Sequence, residues 1–213
     1  GVGENGLMNT NTQILVEGEP VGAFYGYKFY KIIDDKWIYW TPEGGKTDDP
    51  DLSQRQVIGN AQPLFTFGWN NTVRWKNLDL SVFLRGVYGN DILNLTRWAY
   101  GPSETQSLNV ALKDISKKTT VYSNKSQFSD YYLEDGSYIK LDNLTVGYTF
   151  KFKENKYIDN LRVYLTGQNL FTITKYSGLD PEVNTTNVWN AGIDYCDFYP
   201  TVATFMIGVN LGL

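Results

Sequence analysis

Phe65-Thr66-Phe67-Gly68-Trp69-Asn70-Asn71-Thr72-Val73-Arg74-Trp75 places Phe65, Phe67, Trp69, Val73 and Trp75 on odd positions and Thr66, Gly68, Asn70, Thr72 and Arg74 on even ones. Successive side chains of an extended strand point to opposite faces, so this reads as one long strand with an apolar and a polar side. After Lys76 and Asn77 alone, Leu78, Leu80, Val82 and Leu84 alternate with Asp79, Ser81 and Arg85, Phe83 being the exception. Two such runs separated by two residues predict a hairpin with a tight turn.

The pattern recurs toward the C-terminus. Ile139 and Leu141 are odd, whereas Leu144, Val146, Tyr148 and Phe150 are even, and this one-residue slip at Asp142-Asn143 predicts a β-bulge. Leu161, Val163 and Leu165 alternate with Arg162, Tyr164 and Thr166, and Phe205, Ile207, Val209 and Leu211 alternate with Met206, Gly208, Asn210 and Gly212. Residues 21–33, with Phe24-Tyr25-Gly26-Tyr27-Lys28-Phe29-Tyr30 at their centre, suggest a further aromatic strand, preceded by a short one at 13–16.

The connections sort by length. Segments 34–63, 89–137 and 172–200 are long, whereas 76–77 and 151–160 are short, and the two kinds alternate along the chain. A soluble sandwich has no reason to sort its loops this way, whereas outer-membrane barrels carry short periplasmic turns and long extracellular loops. Six to eight strands would leave open edges that lipid does not tolerate, so the chain is expected to be part of a larger barrel.

Composition agrees. With 16 Tyr, 11 Phe, 6 Trp and 20 Gly, the sequence favours sheet and turns over helix. A net charge of −4 with no basic tract argues against nucleic acid as a partner. His is absent and Cys196 is the single cysteine, which removes intrachain disulfides, Cys/His zinc sites and every catalytic dyad built on a His base. No run of apolar residues is long enough for a membrane-spanning helix, which leaves a spanning barrel untouched.

Tyr132-Leu133-Glu134-Asp135-Gly136-Ser137-Tyr138-Ile139-Lys140-Leu141-Asp142-Asn143-Leu144-Thr145-Val146-Gly147-Tyr148 resembles the "EDGSYLRLRNLTLGY" stretch of the SusC/RagA family of TonB-linked outer-membrane transporters of Bacteroidetes. Gly167-Gln168-Asn169-Leu170-Phe171-Thr172-Ile173-Thr174-Lys175-Tyr176-Ser177-Gly178-Leu179-Asp180-Pro181-Glu182-Val183 is similar to the family's "GQNLFTITKYSGLDPEV", and Gly22-Ala23-Phe24-Tyr25-Gly26-Tyr27 and Ile58-Gly59-Asn60-Ala61-Gln62-Pro63 also match family segments. The resemblance implies an all-β, antiparallel transmembrane β-barrel of about 22 strands, with residues 1–213 as its C-terminal segment of about 6–8 strands and the plug domain and N-terminal strands outside this sequence. It implies outer-membrane lipid around the barrel, a SusD-like surface lipoprotein as lid, TonB acting through regions absent here, and oligosaccharide or oligopeptide cargo. Two departures stand out: the chain ends in Leu213 where members often end in Phe, and Glu43-Gly44-Gly45-Lys46-Thr47-Asp48-Asp49-Pro50-Asp51 lacks the carboxylate spacing of the family's calcium-like loop. No metal and no cofactor is therefore expected.

The candidate site residues follow. Trp69 and Trp75 would sit in aromatic girdles at the two membrane interfaces. Trp98, Tyr100, Trp189, Tyr195 and Tyr199 fall in long loops, where rings stack on cargo, pack against a lid, or simply pack within the loop. Asp194 and Asp197 accompany them as acceptors for polar cargo. Gly178, Leu179, Asp180, Pro181 and Glu182 form the family-motif loop; Asp180 and Glu182 so close in a Pro-containing turn set loop shape rather than serve as an acid/base pair. Asn94, Asn124, Asn143 and Asn184 match the glycosylation pattern by chance. No catalysis is expected. The rivals are a secreted carbohydrate-binding β-sandwich, which would bury its aromatic residues, and an adhesion barrel without transport.

Overall fold

The computed structural model describes residues 11–100, 127–152, 157–183, 190–195 and 199–212. In chain order the first strands are β1 (Gln13–Ile14), β2 (Ala23–Gly26), β3 (Lys28–Ile33), β4 (Lys36–Trp40), β5 (Lys46–Thr47) and β6 (Gln56–Asn60). The long hairpin β7 (Phe65–Trp75) and β8 (Leu78–Tyr88) follows, then β9 (Asp91–Asn94) and the short helix α1 (Leu95–Tyr100). The remainder is β10 (Leu133–Asp135), β11 (Tyr138–Lys151), β12 (Asn160–Thr174), β13 (Ile193–Asp194) and β14 (Thr204–Gly212). No described helix is long and apolar enough to cross a membrane.

The chain divides into two units. One comprises Phe65–Tyr88, Ser137–Thr174 and Pro200–Leu213, and its long strands pair in the antiparallel order β14-β12-β11-β8-β7. The hairpin reads as the sequence predicts: Phe65 pairs with Tyr88 and Trp75 with Leu78, and Lys76 takes the left-handed backbone (φ 55°) that so tight a turn requires. Register carries one apolar row through all five strands: Val73 opposes Leu80, which opposes Val146, which opposes Leu165, which opposes Ile207. This row is open to the surroundings, Val73 being 53% and Ile207 79% exposed.

The slip at Asp142-Asn143 is a bulge against both neighbours, because the pairing of β11 with β8 and with β12 shifts between Leu141 and Asn143. The extra residue keeps Ile139 and Leu141 on the apolar face together with Leu144 and Val146. It also brings the Asp142 carboxylate to Arg85, whose Nε donates to Oδ1 at 2.9 Å, while the same guanidinium donates to the Tyr138 hydroxyl at 3.1 Å.

A second ion pair lies toward the short-turn end of the polar face. Arg162 of β12 reaches across β11 to Asp79 of β8 in a two-pronged contact, Nε to Oδ1 at 2.9 Å and an η nitrogen to Oδ2 at 2.6 Å. The strand between them carries Gly147 at the crossing, where a Cβ would lie 2.6 Å from the Arg162 guanidinium and 2.6 Å from Asp79 Oδ1. A glycine inside a strand ordinarily weakens it; here its missing side chain is the space the ion pair occupies.

The second unit comprises Gly1–Leu64, Gly89–Gly136 and Lys175–Tyr199, the segments that precede and join the long strands. It holds three small sheets, β1-β2-β6, β3-β4-β5 and β10-β9-β13. Residues 21–33 therefore do not form the single strand that their aromatic content suggests. The run breaks at Tyr27, whose backbone N–H donates to the Phe128 carbonyl at 2.9 Å and which bridges Ser129, so β2 and β3 join different sheets, neither of them the five-stranded one. Around that break Phe24, Trp37, Tyr39, Trp98, Phe128 and Tyr132 form one buried cluster.

Gly147→Ala in the complete protein is expected to force the Asp79–Arg162 pair apart and cost about 1–3 kcal/mol, the usual penalty of overpacking. Urea unfolding in detergent measures it; an Ala variant as stable as the parent would contradict the role assigned to this glycine.

Candidate functional site

Chemistry-bearing side chains gather in the unit built from the connecting segments. Glu134, in β10, is the centre of one cluster. Its carboxylate accepts from the Ser177 backbone N–H and hydroxyl, both at 2.8 Å, from Asn94 Nδ2 at 3.1 Å and from Arg97 at 3.4 Å. The two family-like motifs thus meet: the Glu134-Asp135-Gly136 segment ties down the start of the Tyr176–Glu182 loop. Asn94 also bonds Ser177 Oγ at 3.3 Å and, through Oδ1, accepts the Arg97 backbone N–H at 2.8 Å near the start of α1.

Beside this cluster the Tyr176 hydroxyl donates to Asp194 Oδ2. Both residues are buried. Burial pushes the Tyr176 phenol well above its ordinary value, and its bond to Asp194 pushes the same way. Burial also raises the Asp194 carboxyl; the Tyr176 bond opposes this, while the negative charges of Glu134 and Asp180 add to it. Asp91 and Asp130 are raised by burial too, although each accepts a backbone N–H, from Asn60 at 2.9 Å and from Phe29 at 2.7 Å respectively. Gln13 Nε2 donates to the Ala191 carbonyl at 2.7 Å, and β13 runs parallel to β9. Gly192, at φ 71°, turns the chain where a Cβ would lie 2.6 Å from that of Ala61.

The sequence candidates separate by exposure. Trp98 is buried, with its ring 5.2 Å from Phe128 and 5.6 Å from Tyr132, so it is a core residue of this unit and not a surface platform. Tyr195 is partly buried against the same cluster, and Asp194 is occupied by Tyr176 instead of facing cargo. In the motif loop Asp180 and Pro181 are buried, Glu182 and Gly178 are half-buried, and Leu179 is 77% exposed. Asp180 Oδ1 accepts the Glu182 N–H at 3.0 Å, the local turn its sequence predicts. Tyr199 is 79% exposed. Trp189, Cys196, Asp197, Asn124, Asn184 and the Tyr100 side chain lie outside the described residues.

Trp69 and Trp75 are 50% and 65% exposed on the apolar row, and the Lys76 ammonium sits 4.9 Å from the Trp75 ring centre. At the other end of the hairpin Phe65 stacks on Tyr88 at 5.2 Å, a pair that alternation alone does not single out. In the acidic segment Asp48 pairs with Lys36 at 2.6 Å, and Asp51 caps the short turn Leu52–Gln54. These carboxylates therefore already have partners within the chain.

TonB-dependent receptor P3 of Formosa agariphila is 35% identical over 237 residues, covering 96% of this chain and 23% of its own length. TonB-dependent receptor SusC of Bacteroides thetaiotaomicron is 32% identical over 224 residues, covering 95% of this chain and 20% of its own length. The chain is a SusC/RagA-type sequence. No protein-family model matches it. A solved RagAB peptide importer in an open-open state superimposes with a TM-score of 0.71 at 25% identity, covering 90% of this chain and 22% of that one. This SusC/RagA-type chain thus spans less than a quarter of the length of these relatives.

Asp194 gives a signed prediction. Its folded-state pKa is raised above 3.8, so the stability it contributes is present below that value and is lost as pH rises through the folded pKa. Asp91 and Asp130 act in the same direction. The loop unit is therefore expected to lose resistance to urea, read by tryptophan fluorescence of the complete protein, as pH rises from about 4 toward 7. Asp194→Asn should flatten that dependence; a variant with the parent's full slope would contradict it.

Proposed function

We propose that the chain forms the C-terminal barrel wall and several extracellular loops of a TonB-dependent outer-membrane importer. The observation that carries this reading is the five-stranded sheet, which presents an exposed apolar face and, opposite it, a face of Thr, Asn, Arg and Asp side chains. A soluble sandwich covers its apolar face with a second sheet. A barrel in lipid presents that face outward and keeps the polar one for a wetted interior. Ten residues separate Phe65 from Trp75, about 33 Å along the strand, and a tilt of about 40° reduces this to about 25 Å, the height of an outer-membrane apolar band. Trp75 with Lys76 at one end, and Phe65 with Tyr88 at the other, then serve as the two interfacial girdles, with Trp69 nearer the upper one.

The three long connections leave the same end of the sheet, where Thr66 pairs with Val87 and Tyr138 with both Val87 and Thr174. We assign that end to the cell exterior. The partners are a SusD-like lipoprotein lid, the remainder of the same barrel, and TonB through regions outside this chain; the cargo is an oligosaccharide or an oligopeptide. The relatives are named as receptors and a transporter, in keeping with a non-enzymatic role.

Among the described candidates, Tyr199 and Leu179 are the apolar groups free to meet cargo or lid. In the complete transporter, Tyr199→Ala combined with Leu179→Ala is expected to weaken cargo uptake or lid capture by at least about fivefold, as for truncated interface residues worth ~1–2 kcal/mol. The amount of heat-modifiable barrel should not change. Unaltered uptake and lid capture would count against these two residues.

A further inference from the structure

The small sheet β3-β4-β5 turns one face into the aromatic cluster of its unit and leaves the other open. Phe29, Ile32, Trp37 and Tyr39 supply the covered face. On the open face β4 contributes Ile38 and Trp40, and the pairing of β3 with β4 shifts between Phe29 and Lys31, so Tyr30 is an extra residue. A bulge of this kind re-aims a side chain. Here it sets Tyr30 edge-on to Trp40, with ring centres 4.8 Å apart. Lys46 of β5, opposite Trp40 in the ladder, places its ammonium 4.0 Å from the Tyr30 ring centre and 4.9 Å from that of Trp40. Lys31 brings a second ammonium 5.3 Å from the Tyr30 ring centre. Both lysines are exposed and, among the described residues, neither forms a salt bridge. Hydrogen bonding from Lys46, and then the charges of Lys31 and Lys46, lower the Tyr30 phenol below its ordinary value. The patch is thus locally positive on a chain whose net charge is −4.

We propose that this patch binds acidic oligosaccharides, whose sugar rings carry carboxylate or sulfate groups. Two rings hold Lys46 against them, so its charge is in place before a ligand arrives and little ordering is left to do. An acidic group that meets Lys46, Lys31 and the Tyr30 hydroxyl gains charge-assisted hydrogen bonds, while half-buried Trp40 and Ile38 offer an apolar surface to the C–H face of the sugar. The patch lies on the face of a sheet and not along its edge, so it offers an extended peptide no main-chain partners; peptides recognised by sheets add at an edge. A ligand read through side chains alone is the one that fits. The proposal narrows the cargo of the importer proposed above and rests on that reading only for the step from binding to uptake.

The test presents the complete protein in detergent to immobilised oligosaccharides bearing uronate or sulfate groups, to neutral counterparts of the same length, and to acidic peptides. Binding to the acidic sugars is expected to exceed the other two at least about tenfold, and to fall at least about fivefold when Lys31→Gln is combined with Lys46→Gln, or in Trp40→Ala. Lys46→Arg should retain most of it, because a guanidinium also sits over aromatic rings. No binding to any acidic sugar, equal binding to neutral ones, a preference for the peptides, or full binding by the double variant would overturn the proposal. A heat-modifiable band in each sample reports barrel assembly separately. An assembled barrel that binds no acidic sugar refutes the patch alone, whereas acidic sugars that are bound through these residues but not taken up by cells carrying the transporter refute the importer reading and leave the patch standing.

Discussion

An antiparallel ladder that pairs the backbone of five neighbouring strands while turning every second side chain to an uncovered apolar face is the constraint on which the rest depends. Backbone amides left unpaired in hydrocarbon cost several kcal/mol each, so a sheet in lipid must keep its register and must continue into further strands at its edges. The bulge at Asp142 is therefore not a defect. It inserts one residue so that the apolar row survives a change of phase, and it brings a carboxylate to Arg85 on the polar side.

The polar face then has its own requirement, because its charges must find partners. Arg85 with Asp142, and Arg162 with Asp79, meet it by reaching between strands, the latter across a glycine. The loop unit solves a different problem. Segments far apart in sequence must bury enough apolar surface to hold one arrangement, and they do so with an aromatic cluster supported by buried carboxylates that accept N–H and O–H donors. Half-buried Glu134 is the clearest case, since it satisfies donors from two sequence-distant segments, Asn94 with Arg97 and Ser177, and fixes the motif loop through Ser177.

Much of this was legible in the sequence where the controlling interaction is local. The hairpin of β7 and β8 depends on alternation and a two-residue turn, and the bulge is visible as a slip from odd to even apolar positions. Residues 21–33 misled because the break at Tyr27 is imposed from Phe128 and Ser129, a hundred positions away, and nothing in a run of aromatic residues announces it. Trp98 reads equally as surface platform or core, since the same ring serves both, and only the neighbouring Phe128 and Tyr132 decide. Glu134 stood inside a recognised motif, yet its partners at Asn94 and Ser177 lie about forty residues to either side. The ion pair over Gly147 was hidden because a glycine in a strand shows what is missing, not what fills the space.

The central claim is that the two faces of this sheet meet lipid and water respectively. Nitroxide labels placed one at a time along β8 and β11 of the complete protein, with Cys196 replaced by Ser and the protein in bilayers, report accessibility to oxygen and to a water-soluble nickel complex. The account predicts oxygen maxima at 78, 80, 82 and 84 in β8. In β11 it predicts maxima at 139 and 141, then 144, 146 and 148, with the phase reversing across Asp142. Equal access of the nickel complex to both sets of positions, or an alternation that runs through Asp142 without reversing, would contradict it.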